Sequence, residues 1–215
     1  MAVTHTFTRK QELGNAISHA SGAVFSLVAF VLLIVFATRQ GNVWHVVSVT
    51  IYGSTMILLY TCSTLLHSLP QGRAKNVFEI MDHAAIYLFI AGTYTPLLVI
   101  LVRGWEGWTL LGVIWGIAVA GVVFKVFFVK KFLILSTLGY IAMGWLAVLA
   151  VNPIIHVLPL SGVLYLFAGG LLYTLGSVFY VWRKLTYHHT IWHLFVLAGS
   201  VCHFILVLFY VLPIR

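Results

Sequence analysis

Apolar stretches near residues 17–38, 44–66, 80–102, 108–128, 132–151, 160–182 and 190–212 alternate with the short polar breaks RQGN, LPQGRAKN, RGWEGW, KK, VNPIIHVLP and RKLTYHH. A helix needs about 20 consecutive apolar residues to cross the hydrocarbon core of a bilayer, and each stretch is about that long. Transmembrane β-strands would read as alternating segments of about ten residues instead. The pattern therefore predicts an all-α integral membrane protein, seven transmembrane helices forming one domain over 1–215. Breaks this short make successive helices antiparallel.

Lys and Arg orient the bundle. With the N-terminus inside, Arg9, Lys10, Arg73, Lys75, Lys125, Lys130, Lys131, Arg183 and Lys184 fall on the inner side, and only Arg39, Arg103 and Arg215 on the outer. Cytoplasmic loops carry the excess of Lys and Arg, so the expectation is N-terminus in and C-terminus out. Trp105 and Trp108 stand in an outer break, where interfacial aromatic residues belong. Gly112 and Gly116 form a GxxxG pair, expected to let another helix of the same chain approach closely, with a homo-oligomer contact as the alternative.

Composition agrees with the pattern. The chain is 62% hydrophobic and 7% charged, whereas a soluble domain is about a quarter charged. Its formal charge of +8 comes from basic residues set singly or in pairs, with no basic stripe, so nucleic acid is excluded as a partner. Cys62 and Cys202 fall within spans and form no CxxC motif, the pattern of buried free thiols. The segment before the first apolar run lacks the features of a cleavable secretory signal, so that run is expected to remain.

Ionisable groups in a span are costly and need a partner or a job. Glu12, Asn15 and His19 follow i, i+3, i+7 spacing on one stripe entering the first span. Ser63 and His67 end helix two, and Asp82 and His83 are expected to open helix three. His189 and His193, four apart on one face, open helix seven, with His203 farther along. The orientation derived from Lys and Arg places His67, Asp82, His189 and His193 together at the cytoplasmic ends. Three neutral imidazoles with an open fourth position form a metal site of the catalytic zinc type, although the donors also suit other first-row metals. Asp82 could orient a water or take its proton, with Ser63 one turn from His67. His203 lies about 15 Å along the helix from His193, too far to ligate the same ion; it is read as a core hydrogen-bonding group or a polar contact below the site. His45 and His156 map to the outer side, and His5 to the tail.

The segments ELGNAISH at 12–19, STLLH at 63–67, MDHAAIYLFIAGTYTP at 81–96 and HTIWHLFVLAGSVCHF at 189–204 resemble those of the bacterial haemolysin III family, kin of the progestin and adipoQ receptors. The resemblance spans nearly the whole chain. It implies a multi-pass protein of the bacterial inner membrane, with zinc held near the cytoplasmic leaflet by His67, His189 and His193. Asp82 would reach the metal through water with Ser63 close by, and Glu12, Asn15, His19 and His203 would stand around them. The wider superfamily is similar to alkaline ceramidases, which hydrolyse lipid amides with one serine, one aspartate and three histidines. Three functions follow as expectations: a zinc-dependent hydrolase of a lipid amide or ester, a sensor of membrane state in which zinc staples helices, and a pore or cytolysin. In each, membrane lipids are the partners. A retinal photoreceptor is excluded, since 190–212 holds no Lys.

Overall fold

The computed structural model describes residues 7–214; His5 and Arg215 lie outside them. The described residues form helices α1 (Arg9–Gln40), α2 (Val43–Ser68), α3 (Arg73–Pro96), α4 (Gly104–Phe128), α5 (Leu133–Gly144), α6 (Val151–Val157), α7 (Leu160–Val181) and α8 (His188–Leu206). A wide π-helical turn, Leu97–Val102, extends α3, and another, Val207–Val211, extends α8. A 3₁₀ stretch, Trp145–Ala150, joins α5 to α6 as one span. Among the described residues, seven spans are long and apolar enough to cross a membrane, as the sequence pattern predicts.

The first span differs from expectation at its start. Helix α1 begins at Arg9 rather than near 17, because Thr8 caps it: the Thr8 hydroxyl accepts from Gln11 N–H, and the Gln11 side chain accepts from Thr8 N–H at 2.8 Å. Its faces are inverted relative to a soluble helix. Asn15, Ser18, His19 and Ser26 are buried, while Leu13, Ile17, Val24, Leu27 and Val31 are exposed, as a lipid-facing helix requires.

Helix α3 also starts earlier, at Arg73, so Asp82 lies roughly two and a half turns inside it and does not open it. Hydropathy marks only the apolar part of such a helix, and the polar first turns escape it. Pro96 has no N–H to donate, and the widened turn follows directly. The break expected over VNPIIHVLP is helical as far as Val157, because Pro153 falls in the first turn of α6, where a missing N–H costs nothing.

The fifth span breaks its helical ladder at Gly144–Ala147. The Tyr94 hydroxyl repairs it, donating to the Gly144 carbonyl and accepting from Ala147 N–H at 2.8 Å. Inside a bilayer, irregular backbone survives only where such partners exist.

Helices α1, α2 and α3 pack side by side, α7 packs on α8, and α8 returns to α1. Side-chain bonds fix which ends meet. The start of α1, the end of α2 and the start of α3 share Lys75, and Lys130 after α4 reaches Asn76 and Glu79 at the same end. At the other end His45 bonds the Ile214 carbonyl, and Trp44 meets Trp108.

The glycine pair of α4 does not perform as expected. A Cβ at Gly112 or Gly116 would meet nothing within 4 Å, so neither brings a helix of the chain close. Gly121 does so instead, where a Cβ would lie 2.5 Å from the Tyr87 ring of α3. Both cysteines are free; Cys62 is buried, but Cys202 is only half-buried.

Candidate metal centre

His67 in the last turn of α2 and His189 and His193 in the first turns of α8 converge. Each offers one nitrogen, and the three atoms lie within 4.8 Å of one another, all buried. The i, i+4 spacing aligns the α8 pair on one face, and α2 supplies the third ring from across the bundle.

Hydrogen bonds set the orientation of the rings. The Glu12 carboxylate, Oε2 at 2.6 Å from His67 Nδ1, can only accept, so Nδ1 carries the proton and Nε2 presents a lone pair. His193 Nδ1 lies 3.0 Å from Ser18 Oγ and 3.2 Å from the Asn15 carbonyl. The Ser18 hydroxyl itself donates to that carbonyl, so His193 Nδ1 is a donor and Nε2 again is left with its lone pair. His67 Nε2 and His189 Nε2 face each other at 3.2 Å. Two nitrogens each 2.0–2.1 Å from one tetrahedral ion lie roughly 3.3 Å apart. His193 Nε2 is buried and has no hydrogen-bond partner among the described residues. Converging buried lone pairs, one of them orphaned, fit a cation in their midst. The cluster could hold a metal ion.

The surrounding groups include residues that sequence reasoning missed. Lys75 donates to Glu12 Oε1 at 2.9 Å and to the Leu66 and Leu69 carbonyls at 2.8 and 3.2 Å, using all three of its hydrogens. It thus fixes the carboxylate that fixes His67. Ser18 lies three residues from Asn15, on the stripe that already holds His19, and that spacing could have found it. Thr190 donates to Asn15 Oδ1 at 2.6 Å. Phe7 packs its ring 5.0 Å from His189 and 6.0 Å from His67. Nothing in the sequence marks Lys75, Thr190 or Phe7 for this site, because the partners that place them there, Glu12, Asn15 and the cluster rings, are distant in the chain.

Asp82 is buried beside Ser63 and close to His67, but its oxygens are not among the mutually close donors. Ser63 is fully buried, with its hydroxyl beside the Asp82 carboxyl. His83 turns away to the Glu79 carbonyl and the Tyr180 hydroxyl. His203 is not at the cluster either: its Nε2 meets the Leu166 carbonyl at 3.2 Å and its ring meets Tyr173. His19 stacks flat on His193, ring centroids 3.4 Å apart.

Beyond His19 lies a cavity of about 160 Å³, walled by α3, α5, α6, α7 and α8. Its wall is apolar in effect, because the hydroxyls that line it are already bonded. Thr93, Thr137, Thr174 and Ser177 donate to carbonyls of their own helices, Tyr140 donates to the His83 carbonyl, and Tyr173 pairs with Ser200. His19 and His203 also form part of this wall; both His19 nitrogens and His203 Nδ1 have no hydrogen-bond partner among the described residues.

Fold and cluster together define a seven-helix, multi-pass membrane protein with a buried three-histidine site beside an apolar chamber. Residues 7–204 match the family model described as Haemolysin-III related, and the chain belongs to that family. It is 51% identical over 204 residues to the Hemolysin-3 homolog of Bacillus subtilis (strain 168), covering 95% of this chain and 96% of that one. It is 52% identical over 204 residues to Hemolysin-3 of Bacillus cereus, covering 95% and 93%. The monocyte to macrophage differentiation factor of Homo sapiens is 27% identical over 200 residues, covering 90% of this chain and 82% of the relative.

Proposed function

We propose that the chain binds zinc through His67, His189 and His193 and hydrolyses an amide or ester bond of a membrane lipid. In this reading it sits in a bacterial inner membrane with its N-terminus and metal site on the cytoplasmic side. One observation carries the reading: side chains that line the apolar chamber, His19, Trp192 and Tyr180, also contact the rings of the metal-binding cluster. A lipid chain lodged there would bring its polar linkage to the cluster.

Bound zinc would polarise a carbonyl and make water acidic enough to attack it at neutral pH. The residues supply the rest. Glu12 and the Asn15 carbonyl hold two of the ligand rings with their lone pairs inward. Asp82, buried but outside the ligand set, would take a proton from the attacking water. Ser63, beside Asp82, would orient that water or the substrate oxygen with its hydroxyl. The enclosing rings exclude bulk water.

The test is lipid turnover by purified protein in liposomes, wild type beside Asp82→Ala and His193→Ala. Loss of product in both variants supports hydrolysis, and equal turnover in all three rejects it. A second reading, a sensor stapled by zinc, draws on the way the cluster ties α2 to α8 and, through Glu12 and Asn15, to α1. It expects metal removal to lower thermal stability with no lipid product at any stage. A pore echoes only the relatives' names and suits an apolar-walled chamber poorly; liposomes that remain ion-tight would count against it.

A further inference from the structure

His19 is a costly residue in its position. It is 1% exposed, and neither ring nitrogen has a hydrogen-bond partner among the described residues. A neutral imidazole carries one donor and one acceptor, and burying either without a partner is costly. Packing alone does not call for it. One face lies on His193, and the ring meets Tyr60 edge to face at 5.0 Å. A phenyl ring would make both contacts without any orphaned nitrogen. Ser18, one residue away, shows that this helix can satisfy its polar groups internally, through the Asn15 carbonyl.

The position of His19 suggests what its nitrogens serve. It belongs to the wall of the apolar chamber and to the stack on a metal-binding ring, so it marks the boundary between hydrocarbon and polar chemistry. The hydroxyls deeper along the wall are bonded to protein; of its two histidines with an orphaned nitrogen, His203 has its other nitrogen on the Leu166 carbonyl and stands away from the cluster, so a ligand whose polar end reaches the metal-binding rings meets His19.

We propose that His19 is a ligand-binding residue, donating its ring N–H to the carbonyl oxygen of a lipid acyl group whose chain occupies the chamber. The proposal rests on the reading of the chamber as a lipid site, and it adds the group that registers the acyl carbonyl against the metal cluster. The other nitrogen is left to accept from the group beyond the carbonyl, an amide N–H or a water. His19 acts as a neutral hydrogen-bonding group, and His193 keeps its place in the metal set.

The experiment measures binding of [1-¹³C]palmitate to metal-loaded protein in detergent, by titration calorimetry and by the carboxyl ¹³C resonance. Wild type, His19→Phe and His19→Gln are compared, with metal content determined for each. His19→Phe keeps the stacking ring and removes the nitrogens; His19→Gln returns an N–H donor. The expected result is binding about tenfold weaker in His19→Phe with full metal content and a shifted carboxyl resonance, partly recovered in His19→Gln. Equal affinity and an unchanged resonance in His19→Phe would overturn the proposal. So would a loss of affinity that merely tracks a loss of metal, since His19 would then only prop His193. If wild type holds metal but binds no palmitate, the proposal falls while the metal site stands. If palmitate binds through His19 but no lipid is ever cleaved, hydrolysis falls and His19 keeps its role.

Discussion

Glu12 and His67 meet at 2.6 Å, Oε2 to Nδ1, across fifty-five residues of chain. The contact joins the first turn of α1 to the last turn of α2 and settles which His67 nitrogen is left for a metal. Lys75 holds the second carboxylate oxygen at 2.9 Å, so the carboxylate is bonded at both ends. Removing such a partner of a ligand ring typically costs 10–100-fold in metal affinity. Glu12→Ala is therefore expected to weaken zinc binding by that factor without abolishing it, as read by competition with a chromophoric chelator. Affinity equal to wild type would mean that the ring needs no such support.

Ten histidines are present, and the geometry separates ligands from bystanders. His67→Ala, His189→Ala and His193→Ala should each lose most bound metal. His45→Ala, His83→Ala and His203→Ala should retain it, because these rings are bonded to the Ile214 carbonyl, to Glu79 and Tyr180, and to the Leu166 carbonyl. Metal content by mass spectrometry on the purified variants decides the matter. Full retention in any of the first three would remove that residue from the site.

Lys125 is 1% exposed in the last turn of α4, with its ammonium 2.6 Å from the Ser136 hydroxyl of α5. A buried charge stripped of its partner costs more than a pair exchanged for packing. Ser136→Ala should therefore destabilise the protein by about 1–3 kcal/mol. Lys125→Met, which removes the charge and keeps the bulk, should be neutral or stabilising. Thermal unfolding in detergent reads both, and a Lys125→Met protein less stable than Ser136→Ala would reverse the argument.

Gly22 and Gly112 both lie on apolar helices but have opposite surroundings. A Cβ at Gly22 would lie 2.3 Å from the ring of Tyr60, which braces His19 and donates to Ser200 at 2.7 Å; one at Gly112 would meet nothing. Gly22→Val should cost about 1–3 kcal/mol through overpacking and disturb the site with it. Gly112→Val should change stability by less than about 0.5 kcal/mol, unless a second copy of the chain packs there. Melting temperatures of the two variants, taken with their metal content, make the comparison.

What was legible in the sequence follows from which forces are local. Seven spans could be read because each apolar run is long enough by itself. The metal trio could be read because i, i+4 spacing and the direction of each helix place His67, His189 and His193 at one end. The start of α1 was read eight residues late because RKQELGNAISH is polar, although the Thr8–Gln11 capping box lay in plain view. VNPIIHVLP reads as a polar break, yet it is helical as far as Val157 because Pro153 occupies a first turn. Asp82 was placed at a helix opening because the polar first turns of α3 look like a loop. The support given by Lys75 had no local signal: its charge read as a marker of orientation, and only packing brings it to Glu12.

The chamber offers a test that separates hydrolysis from stapling. Gly170 lies on its wall, and a Cβ there would meet only Trp145, at 3.9 Å, another wall residue. A large side chain at this position can enter the space without striking backbone. Gly170→Phe should therefore fold, and since none of the cluster's bonds involve α7 at this point, it should keep its metal. If a lipid chain must lie in the chamber for cleavage, turnover should fall by at least tenfold while metal content and melting temperature stay near wild type. If zinc only joins α2 to α8, filling the chamber should leave the metal-dependent rise in melting temperature intact and alter no lipid product. Paired measurement of lipid turnover and of the metal-induced stability shift on this one variant therefore assigns the cavity either to catalysis or to packing.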